Sequence, residues 1–313
     1  MKRTLLAIAG ILMALSMPAA TLRVNNLNGS GAQYTTFEEA HSAAQDGDVI
    51  IVDGTPKSYG QINISKKITV QGPGYFLGVN DATKEGYSPA TFDEINLKSA
   101  GAKITGLCVE GNINMQADDL VITRCYVRNI RLSRDFSFTE DHITRGIIHQ
   151  NYIMYGIYGD SYSASATYMQ VTNNIIPYGG NVMFCNMDNS VISRNTGIST
   201  EAGVRNLTNC VIENNISYNI ESSYYSNKDN TYSNNYMLGD SKIINNIYGS
   251  NRDDATVKAG DAKIATDKGA FSGDDPYVLS GIPRGVRVTD LDMPQSVEQG
   301  SDLQITVKVA TRR

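Results

Sequence analysis

A six-residue pattern recurs along the middle of the chain and constrains the fold more than any other feature of the sequence. Each copy begins with an apolar, mostly β-branched residue, usually followed by Thr, Ser or another short residue, and this favours strands over helices. The copies are Ile104–Val109, Ile122–Val127, Ile143–Ile148, Val171–Ile176, Ile192–Gly197, Ile212–Ser217, Tyr232–Met237 and Ile243–Tyr248. Their starting positions lie 11 to 28 residues apart, which indicates loops of variable length between stacked units.

Asparagine occupies the fourth position of most later copies, at Asn174, Asn195, Asn215, Asn235 and Asn246. Asn tolerates the unusual backbone angles of tight turns, and its amide can bond to an identical amide on a neighbouring stacked strand. Strands of an ordinary β-sandwich alternate in direction and do not keep one pattern in a single phase. The repeat therefore predicts a solenoid of stacked coils, separated by the strand spacing of about 4.8 Å.

Both ends of the repeat carry signals of their own. Thr36–Glu39 fits a capping box, which predicts an amphipathic helix over residues 37–46 that covers the first coil. The apolar run Val49–Val52 then predicts a buried strand. Towards the other end, the charged stretch 251–268 predicts a loop. Alternating apolar residues in Leu303–Val309 predict a half-buried strand, which either closes the stack or belongs to a small appended β module.

The first residues predict export. Lys2 and Arg3 precede an apolar run, Leu5–Leu15, and small residues follow it, so residues 1–20 are interpreted as a signal peptide. No second apolar segment is long enough to span a membrane, and we therefore expect no transmembrane segment after cleavage. The expected location is the periplasm, the cell surface or the medium.

Composition narrows the class of protein further. The 313 residues carry a net charge of −5, which excludes a basic nucleic-acid binder, so we expect no nucleic-acid partner. Asn, Gly, Ser, Thr and Tyr are abundant, which favours an all-β protein. Four Cys are present. An exported chain can form disulfides, but small buried thiols are the other interpretation.

Several segments resemble a known superfamily. Tyr34–Val52 and Ile68–Gly74 look like the opening of pectate-lyase-like right-handed parallel β-helix proteins, and the six-residue copies resemble their repeated coils. Gly269–Gly273 and Pro276–Pro283 resemble the closing segment of such proteins exported by Bacteroides-type bacteria. The resemblance implies an all-β, right-handed parallel β-helix with an N-terminal capping helix. It also implies an extended acidic polysaccharide as a ligand on the outer wall. The activity stays open, because the superfamily includes lyases, hydrolases and adhesins.

A calcium-dependent lyase is one site that the resemblance implies. Such a lyase uses acidic calcium ligands and an Arg or Lys base, and Lys is absent between residues 104 and 227. Arg124 and Arg145 occupy the same position in consecutive copies of the pattern, so either is a candidate base. Glu140 and Asp141 are candidate calcium ligands. The alternative interpretation is a solvated charged face in which these residues pair with one another.

Histidine and tyrosine add further candidates. His142 lies beside the charged cluster and is a candidate acid or base, although a surface His in a charged loop is the commoner case. Asp118 and Asp119 are the obvious carboxylate pair for an inverting hydrolase, but the repeat places them at a turn. Arg and Tyr side chains near this cluster are candidate polysaccharide-binding residues, because Arg binds carboxylates and exposed rings stack on sugars. They are Arg128, Arg131, Arg134, Tyr155 and Tyr158. Stacked aromatic ladders are an equally good interpretation of the tyrosines.

Two functional hypotheses follow. The favoured one is an exported protein that binds an acidic polysaccharide, or another surface polymer, along its outer wall without a complete catalytic motif set. The alternative is a calcium-dependent polysaccharide lyase on a uronate polymer. The expected organisation is a signal peptide over residues 1–20, a capped β-helix over 21–275 and a C-terminal β cap or tail over 276–313.

Overall fold

The computed structural model describes residues 19–80, 83, 88–132, 142–159, 166–178, 183–198, 203–220, 226–264, 267–282, 285–292, 294, 296, 300 and 302–312. The predicted signal peptide lies almost entirely outside these residues. Among them, no helix is both long and apolar enough to span a membrane.

The described residues form many short strands and few helices. The strands of the first half are β1 (Thr21–Val24), β2 (Val49–Val52), β3 (Gln61–Ile64), β4 (Thr69–Gln71), β5 (Thr91–Phe92), β6 (Glu94–Leu97), β7 (Lys103–Thr105), β8 (Cys108–Met115), β9 (Val121–Thr123), β10 (Tyr126–Leu132), β11 (Ile143–Thr144), β12 (Ile147–His149) and β13 (Tyr152–Tyr158). Those of the second half are β14 (Ala166–Thr167), β15 (Gln170–Thr172), β16 (Ile175–Ile176), β17 (Phe184–Asp188), β18 (Val191–Ser193), β19 (Thr196–Gly197), β20 (Val204–Thr208), β21 (Val211–Glu213), β22 (Ile216–Ser217), β23 (Thr231–Ser233), β24 (Tyr236–Met237), β25 (Gly285–Asp292) and β26 (Thr306–Arg312). The helices are α1 (Phe37–Ala43), α2 (Ser241–Tyr248) and α3 (Asp254–Ile264).

Two long sheets contain nearly all of these strands, and every strand pair in both sheets is parallel. Sheet A has ten strands in the order β1-β2-β4-β7-β9-β12-β15-β18-β21-β23. Sheet B has fourteen strands, with β24-β22-β19-β16-β13-β10-β8-β6-β3 as its main path. Because the chain alternates between the sheets and each sheet stacks its strands in chain order, the architecture is compatible with a parallel β-helix. The apolar core fills the space between the sheets.

A stack of asparagines, all buried except the half-buried Asn235, runs through successive coils. Its members are Asn151, Asn174, Asn195, Asn215 and Asn235. The amide oxygen of every member after Asn151 accepts the backbone N–H of the preceding Asn, as in Asn174 N to Asn195 Oδ1 at 2.9 Å, whereas that of Asn151 accepts the Cys125 N–H. Each side-chain N–H₂ donates to a carbonyl in the coil before, as in Asn195 Nδ2 to Val171 O at 2.9 Å. The predicted Asn stack is therefore confirmed, with Asn151 added and Asn246 removed.

The register corrects the phase of one copy of the pattern. Ile122 pairs with Ile148, and Ile148 with Val171, so Ile148 and not Ile143 stands at the first position of the pattern in its coil. From β7 to β23, each coil has two tight turns with positive φ, one before and one after its strand in sheet A. Arg145 (φ 59°) lies at the first turn, whereas Arg124 (φ 53°) lies at the second. The prediction that the two arginines share one position is wrong, because both turns place a left-handed residue directly after a short polar one.

The predicted helix at the N-terminal end is present, although it ends at Ala43 and not near Asp46. The Thr36 hydroxyl accepts the Glu39 N–H and the Glu39 carboxylate accepts the Thr36 N–H, which completes the capping box. Phe37 and Ala40 are buried against the first strands. The Lys66 ammonium donates to three carbonyls at the end of α1. The strand predicted at Val49–Val52 is β2.

Near the other end, helices occupy two segments for which the sequence predicted other structures. The last copy of the pattern, Ile243–Tyr248, belongs to α2, because Asp240 caps a helix start by accepting the Lys242 N–H. Ile244 and Tyr248 are four residues apart and therefore face the same side of this helix, where both are buried. The predicted loop over 251–268 is largely α3.

The final strand does not close the stack. β26 pairs only with β25, in a separate two-stranded antiparallel sheet. The prediction of a closing strand is therefore wrong, and the alternative of a separate β unit agrees with the structure. All four cysteines are free thiols, and only Cys108 is not fully buried.

Candidate functional site

A second, smaller core lies on the outer face of sheet B. Helices α2 and α3 and the segment 267–282, which we call the strap, cover the outward-facing residues of β13, β16, β19 and β22. Tyr152, Ile175 and Ile216 are each 2% exposed or less beneath this cover. Two buried carboxylates of α3 are bonded inside it. Asp261 accepts from the hydroxyls of Thr196 and Tyr248, and burial raises its pKa to about 7.

Residues at the second tight turn of several coils hold the strap. Asn173 Nδ2 donates to the carbonyls of Ala270 and Ser272, both at 2.9 Å. Gln150 Nε2 donates to the Pro276 carbonyl at 2.6 Å. These residues have left-handed backbone angles, which turn their side chains away from the core and towards the strap. The strap thus runs back along the stack and joins coils that are far apart in sequence.

A pocket of about 440 Å³ opens on sheet B where the cover ends. The residues that line it are Tyr75, Phe76, Pro89, Cys108, Glu110, Tyr126, Arg128, Met154 and Tyr155. Its floor is a column of outward-facing residues in which Cys108 pairs with Tyr126 and Tyr126 pairs with Tyr152. Burial raises the pKa of the Cys108 thiol to about 11, so this thiol stays protonated at neutral pH. Most of the lining residues are apolar or aromatic, and they include one acidic residue, Glu110, and one basic residue, Arg128.

Aromatic rings form the inner wall of this pocket. The rings of Tyr126 and Tyr152 stack, with centroids 5.6 Å apart and planes 9° apart. Phe76 meets both edge-on, at 5.7 Å from Tyr126 and 5.0 Å from Tyr152. The hydroxyl of buried Tyr75 shares a hydrogen bond with that of Tyr277 in the strap. The strap therefore fixes the wall, and edge-to-face and stacked contacts keep the rings in place.

Two arginine–tyrosine pairs extend outwards from the pocket along neighbouring strands. Arg128 lies over the ring of Tyr155, at 5.6 Å from its centroid. Arg131 lies over Tyr158, at 5.9 Å, and the two residues are directly opposite in the register. The structure thus brings together four of the five side chains proposed as polysaccharide-binding residues. Arg134, the fifth, lies outside the described residues.

A second cavity, of about 310 Å³, lies on the outer face of sheet A beside the strap. His149 Nε2 lies 3.2 Å from Asp275 Oδ2, and His149 Nδ1 lies 2.7 Å from the Thr172 hydroxyl. Burial lowers the pKa of His149, and the Asp275 carboxylate only partly opposes that shift. Because both ring nitrogens already have partners, this histidine acts as a contact between sheet A and the strap.

Neither candidate base, Arg145 or Arg124, has the surroundings that the base of a lyase requires. Arg145 forms a two-bond ion pair with Asp119, at 2.7 and 2.8 Å, and this carboxylate raises the pKa of the guanidinium. A general base needs the opposite shift. Arg124 is 6% exposed, and it donates to Gln150 Oε1 at 2.7 Å and to the Ile282 carbonyl at 3.1 Å. It therefore anchors the strap.

The remaining predicted site residues are only partly described. His142 is half-buried directly before β11. Glu140 and Asp141, the candidate calcium ligands, lie outside the described residues. Among the residues that are described, no three His, Cys, Asp or Glu side chains come together as a metal site.

Sequence reasoning missed most of the pocket. Tyr126 and Tyr152 stand at the fifth position of their copies, so the correct phase of the pattern would have stacked them. Phe76 and Tyr75 come from a loop after β4, and no local signal connects that loop to Tyr126. Comparison of the whole sequence with known proteins adds no assignment, because no protein-family model matches it and no curated protein matches it significantly.

Proposed function

We propose that this protein binds an acidic polysaccharide on the outer face of sheet B, at the pocket that Tyr126, Tyr155 and Arg128 line. The observation that carries the proposal is the aromatic pocket itself, with a guanidinium over an exposed ring inside it. Sugar rings bind by stacking their apolar faces on aromatic side chains. Arg128 and Arg131 offer paired donors of the geometry that carboxylates accept.

Two features support binding without catalysis. The arginines that a lyase would use as bases are engaged, Arg145 by Asp119 and Arg124 by the strap. Glu110 is the one carboxylate that lines the pocket, and the pair of carboxylates that a glycoside hydrolase uses is not found among the lining residues.

We further propose that the two parallel sheets are walls of a right-handed parallel β-helix with α1 as its N-terminal cap. Residues 1–20 are proposed as a signal peptide that directs the protein to the periplasm, the cell surface or the medium. Mass measurement of the N-terminus of the protein recovered from expressing cells tests the export proposal, and an N-terminus still at Met1 overturns it.

Binding to pectate, alginate, hyaluronan and chondroitin sulfate is the test of function. The purified protein is titrated with each polymer in a calorimeter and in affinity gels. Tyr155→Ala and Arg128→Gln are expected to weaken binding by about tenfold, which corresponds to one lost stacking or charged contact. Tyr168→Ala is the matched control, because Tyr168 is 61% exposed and lies outside the pocket.

Four outcomes are informative. Binding that only the pocket variants weaken supports the proposal, whereas equal binding by all variants moves the site elsewhere. Absence of binding to every polymer overturns the function. The lyase alternative is tested by following the ultraviolet absorbance of the same samples with calcium and with a chelator. An increase in absorbance that requires calcium and is abolished by Arg145→Ala would overturn the binding proposal in favour of a lyase.

A further inference from the structure

We infer that the pocket on sheet B takes the end of a glycan chain and not a stretch from its middle. This inference rests on the proposed function and adds which part of the polymer is bound. It follows from the walls around the pocket, which close two of the directions in which an extended chain could continue.

The first wall lies along the axis of the stack. The outward-facing column of sheet B runs Cys108, Tyr126, Tyr152, Ile175 and so on, one residue per coil. Cys108 and Tyr126 are partly exposed, but Tyr152 is 2% exposed and Ile175 is completely buried. The Tyr152 hydroxyl donates to the Arg252 carbonyl of the segment between α2 and α3. A chain that lies along this column therefore stops against the cover at Tyr152.

The segment after Arg252 is held firmly in that position. The Arg252 guanidinium donates to the Pro177 carbonyl at 2.9 Å and lies over the ring of Tyr178, at 5.7 Å. Asp254, at the start of α3, is fully buried and accepts the Ser280 N–H at 2.6 Å. The wall thus consists of hydrogen-bonded and packed groups, so its displacement by a glycan chain is energetically unfavourable.

The second wall stands at the corner between the two sheets. Tyr75 and Phe76 lie across the first residues of β8 and β10, next to the tight turns. The Tyr75 N–H donates to the Ser280 carbonyl at 2.8 Å, and the Gly74 N–H donates to the Gly106 carbonyl at 2.8 Å. A chain that lies parallel to the strands therefore ends at this corner as well.

Among the residues that the structure describes, none closes the pocket on the opposite sides. Along the strands, exposed Glu110, Arg128 and Tyr155 lead away from the corner. Beyond them come Asn112 and Asn129, which are hydrogen-bonded to each other at 3.1 Å across two coils. The terminal sugar then lies against Tyr126 and Phe76, and the following sugars lie over the Arg128–Tyr155 pair.

Chain-length dependence tests this inference directly. Pectate, alginate and hyaluronan are each prepared as long chains and as fragments about ten times shorter, and the Kd is expressed per mole of chains. End recognition predicts the same Kd for long and short chains within about twofold, because each chain has one such end. Recognition of internal sugars predicts a Kd about tenfold lower for the long chains, because each carries about tenfold more sites, and this result overturns the inference.

Two further measurements separate the possible failures. Borohydride reduction of the chain end weakens binding if the pocket holds the reducing end and leaves it unchanged if it holds the other end. The Phe76→Ala variant, whose fold is checked by circular dichroism, is expected to bind short fragments more weakly while its binding of long chains falls less, since the substitution opens the wall to internal sugars. Binding that scales with length in the unmodified protein refutes end recognition but leaves polysaccharide binding intact. Absence of binding to every polymer overturns both the end-recognition inference and the proposed function.

Discussion

The Arg124 guanidinium donates to the carbonyl oxygen of Ile282, 3.1 Å away in space and 158 residues further along the chain. This contact joins a tight turn in the middle of the stack to the end of the strap. It lies next to Gly281 and Tyr75, and therefore beside the wall of the pocket. The strap is thus part of both the stability of the stack and the shape of the proposed binding site.

Loss of this contact is expected to destabilise the protein. Arg124→Met removes two charge-assisted hydrogen bonds, to Gln150 and Ile282, from a side chain that is 6% exposed. We expect the free energy of unfolding to fall by about 2–3 kcal/mol, measured by urea denaturation. Arg145→Gln is the matched control and is expected to cause no measurable change, because its ion pair is exposed. Equal effects of the two substitutions would contradict an anchoring role for Arg124.

The centre of the asparagine stack is expected to be sensitive to truncation. Asn195 is 1% exposed; its amide accepts from Asn174 and donates to Val171 and Asn215. Asn195→Ala leaves several buried polar groups without partners and should cost about 3 kcal/mol of unfolding free energy. Asn219→Ala, at an exposed position, serves as the control and should stay within about 0.5 kcal/mol. A small effect at Asn195 would mean that the stack is not held by its amides.

Stability should depend on pH through Asp261. Burial raises the pKa of this carboxyl to about 7 in the folded protein, above its usual value of 3.8. The folded state therefore holds a proton that the unfolded state releases, and stability falls as pH rises from about 4 to about 7. Asp261→Asn is expected to remove this dependence.

The comparison between wild type and variant isolates this group from His149 and Asp254, whose pKa values also shift. Urea denaturation at pH 5 and pH 8 gives the unfolding free energy of each protein. We expect the wild type to lose more stability than Asp261→Asn between these two pH values. Parallel losses in both proteins would show that Asp261 is already ionised in the folded state at pH 5.

Two glycines with similar positive φ angles provide a matched pair. Gly281 (φ 56°) has no room for a Cβ, which would lie 2.4 Å from the Arg124 carbonyl oxygen and 2.3 Å from the Tyr75 ring. Gly239 (φ 60°) has open space at the same point. Gly239→Ala should cost about 1 kcal/mol from backbone strain alone. Gly281→Ala adds a clash with the strap and the pocket wall, and thermal unfolding should show a clearly larger loss of stability. Similar losses for both would indicate that the strap moves freely at Gly281.

The pattern of six residues predicted the stacked parallel strands and the asparagine column because both depend on local periodicity. One apolar residue per coil must face the core, and one amide per coil must stand at the same turn, so the sequence repeats them. The same reasoning placed Arg145 in the wrong turn. Each coil contains two left-handed corners with similar neighbours, and local pattern does not distinguish between them. Ile243–Tyr248 also matched the pattern, but the Asp240 cap and the apolar spacing of four residues favour a helix there.

The sequence by itself determined the strands, the Asn stack and the capped first helix, since each is encoded by residues within a few positions of one another. Only the tertiary structure decided the pocket. Its residues come from the loop at Tyr75 and Phe76, from β8, β10 and β13, and its wall is fixed by Tyr277 and Ser280 of the strap. No short-range periodicity connects these segments. They meet because the strap, together with α2 and α3, folds back over sheet B and buries its outward-facing column as far as Tyr152, which leaves Tyr126 and Cys108 of that column partly exposed.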